Sequence, residues 1–196
     1  MSLAIGVDVA ARRGCDIVRL DDDLVARPVG RVHTGSEFRA LLDGLSPAAV
    51  AIDAPPRWAA DTQRACEREL TKRSINLFTT PTAARGQDNN FYAWMLTGFE
   101  LFDAADGYEV LETFPHAVAV VIHGRLPQES KRVSRLAALV AVGIDPCQLK
   151  TIDEIDATLC AYTAWCWSKG NAISVGDDAE GRITLPGGAL LDRYAR

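Results

Sequence analysis

At 196 residues and 21.2 kDa the chain is long enough to bury a full hydrophobic core, and one domain over 1–196 is the simplest organisation. Apolar residues make up 48% and charged residues 24%, as in an ordinary soluble globular protein, and no apolar run reaches bilayer-spanning length. The net charge of -5 and isoelectric point near 5.2 argue against a surface that grips nucleic acid by general charge, while leaving room for a locally charged site.

The stretch Met1 to Gly14 carries its basic pair, Arg12 and Arg13, after the apolar residues, the reverse of a signal peptide. A cytoplasmic protein is therefore expected. The five cysteines, Cys15, Cys66, Cys147, Cys160 and Cys166, include no Cys-x-x-Cys pair, which argues against disulfides and a structural zinc site and for buried free thiols.

In chain order, Leu3 to Val9 reads as a buried strand and Cys15 to Leu20 as a second, joined by a turn at Arg12-Arg13-Gly14 into an opening hairpin. A third strand within Leu24 to Val32 contains Pro28, which confines it to an edge or breaks it. Ser36 to Leu45 has helical spacing of Phe38, Leu41, Leu42 and Leu45. Ala49 to Asp53 is a short apolar strand ended by Pro55-Pro56, and Asp61 is the expected cap of a helix running to about Ser74. Thr79 to Asn90 reads as a polar loop, Phe91 to Ala105 as helix and Tyr108 to Thr113 as strand. Helices follow at roughly Ala117 to His123, Glu129 to Val142 and Asp153 to Lys169. The last is apolar on nearly every face, so its Trp165 and Trp167 are expected in the core. Ala172 to Pro186 offers a strand pair around Gly181. An antiparallel opening followed by a crossover helix into a new strand predicts an α/β fold with a mixed central sheet and helices on both faces.

The informative residues are acids inside apolar segments. Asp8 lies within Ile5-Gly6-Val7-Asp8-Val9, Asp53 ends Ala49 to Asp53, and Glu112 lies within Val110-Leu111-Glu112-Thr113. An isolated buried carboxylate is costly, so each must be paired, protonated or bound to metal. Pairing with arginine explains any one of them. Three on separate strands, none with a basic neighbour in its own strand, favour a shared site for a hard divalent cation. Asp153 and Asp156, three apart at the start of a helix, share one face. Asp153 is a natural helix cap, which makes Asp156 the better ligand candidate.

These segments resemble the DUF429 family of predicted nucleases. The blocks that carry the likeness are Gly6 to Ala10, Ala51 to Pro56, Arg64 to Leu70, Glu112 to Pro115, Ser130-Lys131-Arg132, Asp153 to Ala157 and Glu180 to Ile183, in order from Gly6 to about Pro186. The resemblance implies a ribonuclease H-like fold. A more distant likeness is to RuvC-type Holliday-junction resolvases, with an acid in the first strand, another ending the fourth, and an Asp-x-x-Asp-Ala-like pattern opening a late helix. Carried over by position it marks Asp8, Asp53, Asp153 and Asp156 as metal ligands, with Asp53 standing where that pattern has a glutamate. Glu112 belongs to the nearer family's pattern only.

The implied chemistry is phosphodiester hydrolysis with Mg²⁺ or Mn²⁺, two ions about 4 Å apart activating water and stabilising the leaving oxygen. Asp8 is the expected bridge, with Asp53 and Asp156 holding one ion each and Glu112 supporting. Lys131, Arg132 and Arg135, together with Arg85 in the polar loop, are candidates for phosphate oxygens of a structured or short nucleic acid, although such charges also simply solvate a face. His116 is a candidate proton carrier and Trp58 and Trp94 candidates for base stacking. Two other readings compete. A non-catalytic binding or regulatory domain of the same fold suits the acidic charge. An actin-like small-molecule kinase needs glycine-rich phosphate hairpins, and Val9-Ala10-Ala11 follows Asp8 with no glycine before Gly14.

Overall fold

The computed structural model describes residues 2–195. Strands β1 (Ala4–Asp8), β2 (Cys15–Leu20) and β3 (Ala26–Val32) form an antiparallel meander, and α1 (Gly35–Leu45) crosses to β4 (Ala49–Asp53), which pairs in parallel with β1. After α2 (Ala65–Lys72), the single turn α3 (Ala83–Gly86) and α4 (Ala93–Ala104), β5 (Val110–Glu112) adds in parallel to β4. Helices α5 (Pro115–His123), α6 (Lys131–Ala141) and α7 (Ile152–Ser168) follow, then the hairpin β6 (Ala172–Asp177) and β7 (Gly181–Pro186). The larger sheet has the order β3-β2-β1-β4-β5. The fold is α/β, with the mixed sheet and opening hairpin expected from the sequence. Pro28 sits on the edge strand β3, where its missing N–H costs no ladder bond to a second neighbour, and the register slips beside it.

Side-chain alternation sorts the sheet into two faces. Ile5, Val7, Ile17, Val50 and Ile52 pack with Phe38 and Leu42 of α1 and Leu101 of α4. Ala4, Val18, Leu20, Ala49 and Ala51 face the other way, toward α7, and α5 and α6 close over the same core. Asp8, Asp16 and Asp53 follow the parity of this second set. Between Ala4 and Asp8 lies Gly6, where a Cβ would overlap the Ala157 carbonyl and the Ala161 backbone. The α7 backbone thus rests directly on β1, and the small residues Ala157, Ala161 and Ala164 are all buried there.

Several elements differ from the sequence expectation for identifiable reasons. Helix α2 starts at Ala65, with Arg64 rather than Asp61 as its cap, because the buried Arg64 side chain is tied to Glu67 and Glu112 and the Ala65 N–H donates to Glu180 at 2.5 Å. The polar loop contains α3 and is tied down where the Thr80 N–H and hydroxyl both donate to Glu67. Thr151, not Asp153, caps α7, in a capping box with Glu154. Trp167 is 38% exposed because it sits in the last turn of α7, while Trp165 is half-buried and stacked on Tyr162. Four of the five free cysteines are buried, and Cys147 is exposed. Among the described residues no helix is long and apolar enough to cross a membrane.

The Gly6 contact yields a direct test. Gly6→Ala forces α7 off β1 and should cost roughly 2 kcal/mol or more in urea unfolding. Gly44→Ala, on the exposed side of α1 with nothing within 4 Å of the new Cβ, should instead stabilise by about 0.5–1 kcal/mol. Equal effects at the two positions would refute this account of the packing.

Candidate metal centre

Three acids line up across three neighbouring strands. Asp8 ends β1 and pairs in register with Asp53, which ends β4, and with Asp16 near the start of β2. All three side chains take the α7 face. The first turns of α7 then bring Asp153 and Asp156 over the same strand ends, since the helix lies flat on Gly6. Asp16 was not among the sequence candidates. Its signal lies only in the hairpin register that pairs it with Asp8.

Each of these carboxylates has a different share of positive charge. Asp16 is met by the Arg31 Nε at 3.0 Å. Asp153 accepts Arg13 Nη2 at 2.7 Å, and the same atom stands 3.9 Å from Asp8. Asp156 is held on both oxygens, by Lys131 Nζ at 2.9 Å and by the buried Arg135. Asp8 has only the distant Arg13. Among the described residues no hydrogen bond or ion pair reaches the Asp53 carboxylate.

The electrostatic result is strong. Burial, reinforced by Asp53, Asp156 and Asp153, pushes the Asp8 carboxyl up to about 9 against the opposing pull of Lys131. Burial and Asp156 raise Asp53 to about 7, with Arg135 and Lys131 opposing. Asp8 is therefore protonated at neutral pH unless a further cation takes the proton's place. Burial, aided by Arg135, pushes the His116 imidazole below its ordinary value, so it is neutral there.

A cavity of about 570 Å³ opens beside these groups. Asp53, Asp156, Lys131, Arg135 and His116 form its polar side, and Leu77, Phe78, Trp94, Met95 and Phe114 its apolar side. Phe78, 69% exposed, stands edge-on to the exposed Phe91 at 5.8 Å between centroids. Arg85 and Arg132 are exposed and lie outside the cavity lining.

Glu112 belongs to a different network. It pairs in register with Ile52 rather than Asp53, so alternation turns it to the opposite parity, although it still touches the cavity wall. Both of its oxygens accept from Arg64, at 2.7 and 2.5 Å, and Arg64 also donates to Glu67 at 2.9 Å. This geometry anchors α2 to β5 and leaves Glu112 without a free oxygen pair. The structure thus gathers Asp8, Asp53, Asp153 and Asp156 and sets Glu112 apart.

Among the described residues no three His, Cys, Asp or Glu side chains stand close enough to hold a metal ion together. The pair Asp8 and Asp53 nevertheless has the donor chemistry of a divalent site. Its oxygens are hard, its strands are about 4.8 Å apart, and its one near cation, Arg13 at 3.9 Å from Asp8, is shared with Asp153.

The sequence matches the family described as "Protein of unknown function (DUF429)" over residues 6–181. No curated protein matches. Solved structures similar to the chain include RuvC of T. thermophilus in complex with a Holliday junction substrate, at 15% identity and TM-score 0.49, covering 82% of this chain and 90% of that one. Another is the Thermus thermophilus RuvC structure, at 17% identity and TM-score 0.45, covering 82% and 91% respectively.

The raised carboxyls fix the sign of a pH effect. A folded-state pKa above the unfolded 3.8 contributes stability that is complete below that value and lost as pH rises toward about 9. In EDTA, Asp8→Asn should therefore gain on the wild type as pH climbs from 4 to 9, by on the order of a few kcal/mol at the upper end. Urea midpoints across that range measure it. A variant less stable than wild type at every pH would make Asp8 a structural ion-pair partner.

Proposed function

We propose that this chain, which belongs to the DUF429 family, is a divalent-metal-dependent phosphodiesterase acting on structured or short nucleic acid. The observation that carries the reading is the Asp8 and Asp53 pair, adjacent in the ladder, raised in pKa and met only by the Arg13 that Asp153 shares, beside a cavity that also holds Lys131 and Arg135. Asp8 and Asp53 would hold the ion, with Asp156 and Asp153 as further ligands from α7. Bound Mg²⁺ or Mn²⁺ supplies a Lewis acid for the phosphoryl oxygen and a water of lowered pKa.

The chain's own residues do the rest. Lys131 and Arg135 are the cations on the cavity wall suited to phosphate oxygens, the guanidinium by paired N–H groups and the ammonium as a point charge. The neutral His116 imidazole supports a proton-accepting role on the same wall. The apolar side of the cavity, with Trp94 and Phe114, suits an unstacked base, and base–aromatic stacking adds roughly 1–3 kcal/mol. A net charge of -5 disfavours a long duplex held by general attraction.

The double engagement of Asp156 by Lys131 and Arg135 favours a second reading, a binding domain of the same fold that takes no metal. Thermal unfolding separates the two. The enzyme reading expects Mg²⁺ or Mn²⁺ to raise the Tm, as any ligand selective for the folded state does. Incubation with branched DNA, single strands, RNA and RNA–DNA hybrids should then show cleavage with Mg²⁺ or Mn²⁺ and little with Ca²⁺, whose coordination is larger and looser. Asp53→Asn should reduce turnover by about a hundredfold or more, or roughly 3 kcal/mol of barrier, while leaving the metal-free Tm within a few degrees or higher. Cutting no faster than Asp53→Asn on every substrate, with no metal-dependent Tm shift, would hand the protein to the binding-domain reading.

A further inference from the structure

Asp156 is the best-compensated acid of the cluster and Asp53 the least. Lys131 and Arg135 stand one helical turn apart on α6, so both reach the same carboxylate, one to each oxygen. Two positive charges on one negative leave this wall of the cavity with a surplus of one. That wall faces the cavity together with Asp53. A cation arriving at Asp8 and Asp53 would thus meet an occupied Asp156 and two like charges behind it.

An incoming phosphate group changes the balance. Its oxygens accept the same N–H donors that Asp156 accepts, and a phosphate offers more acceptor sites and more charge than one carboxylate. Lys131 is able to make the exchange, since its side chain is 59% exposed, whereas the buried Arg135 already lines the cavity the oxyanion would enter. Resting on the metal-site reading above, we propose that Lys131 and Arg135 form an anion-operated latch on Asp156. A tetrahedral oxyanion bound by the pair frees Asp156 toward Asp8 and Asp53, so oxyanion and divalent cation bind this site cooperatively. Coupling of this kind is reciprocal. The anion strengthens cation binding by the same factor as the cation strengthens anion binding.

The latch gives the site a specific behaviour. Without a phosphate-bearing ligand it binds divalent cation weakly, through Asp8 and Asp53 alone. With one, the third carboxylate is delivered by the ligand's own arrival, so the complete acid set exists only when a phosphate is in place.

Mn²⁺ binding, followed by the electron paramagnetic resonance of the free ion, tests this with sulfate as the oxyanion, because sulfate complexes Mn²⁺ weakly in water. In the wild type, saturating sulfate should lower the Mn²⁺ Kd about tenfold. Lys131→Met should bind Mn²⁺ more tightly than wild type without sulfate and gain less than about threefold from adding it. Asp156→Asn should still bind Mn²⁺ weakly and show no sulfate effect. Circular dichroism reports whether that variant folds with Arg135 uncompensated, and Lys131→Met carries the test if it does not. A sulfate effect that survives undiminished in either variant means the anion acts on the ion directly and overturns the latch. Sulfate that weakens Mn²⁺ binding overturns it as well. Mn²⁺ binding to the wild type that sulfate leaves unchanged removes the latch but spares the metal site. No Mn²⁺ binding with or without sulfate removes the metal site and the latch together.

Discussion

Helix α7 lies where it does because β1 has no side chain at Gly6, and most of the site's geometry depends on that contact. A glycine on the helix-facing side of a central strand lets two backbones touch, with Ala157 and Ala161 as the opposing surface. The residue two places along β1 on the same face is Asp8, and the residue just before Ala157 is Asp156. Close packing of strand and helix therefore brings two carboxylates together that are far apart in the chain. The parallel pairing of β1 with β4 adds Asp53, and the antiparallel pairing with β2 adds Asp16. Moving α7 outward by the width of a methyl group would loosen the cluster as well as the core.

A second buried network fixes the other side of the cavity. Arg64, 3% exposed, donates to both oxygens of Glu112 and to Glu67, and Glu67 accepts both donors of Thr80. Each charged group in it is hydrogen-bonded, with one guanidinium serving both carboxylates, which eases their burial. It locks α2 and the stretch before α3 against β5. The wall that carries Leu77 and Phe78 is thus held in place while the acids on the opposite side remain under electrostatic strain. Glu112, held on both oxygens by Arg64, thus differs from Asp53 on the same cavity, whose carboxylate no hydrogen bond reaches among the described residues.

Much of the framework was legible in the sequence because it rests on local signals. The apolar runs at Ala4–Asp8 and Ala49–Asp53, the periodic spacing of α1 and the apolar length of α7 all mark their elements with bounds close to those observed. The acids inside the apolar strands were legible for the same reason. What local pattern could not show was partnership. Glu112 finds its arginine 48 residues earlier in the chain, and Asp156 finds Arg135 on another helix 21 residues away. The absence of a basic residue within an acid's own strand says nothing about either. The start of helix α2 escapes local pattern for a related reason. Asp61 has the right chemistry for a cap, but the long-range bonds of Arg64 and Glu180 decide where the helix begins.

The charges around α7 can also be weighed as a group. Asp8, Asp16, Asp53, Asp153 and Asp156 face Arg13, Arg31, Lys131 and Arg135, so the acids outnumber the bases by one. Asp8, pushed up to about 9, keeps a proton at neutral pH, and once Asp53 ionises above about 7 the group is electrically balanced. Neutrality of this kind explains how so many ionisable side chains coexist beneath a helix without unfolding it. It also defines what the site is prepared to accept. Replacing the Asp8 proton by a divalent cation leaves the group with one positive charge in excess, which a single phosphodiester anion would cancel. The next charge the cluster lacks is therefore that of the proposed substrate, and the imbalance is local, independent of the acidic surface elsewhere on the chain.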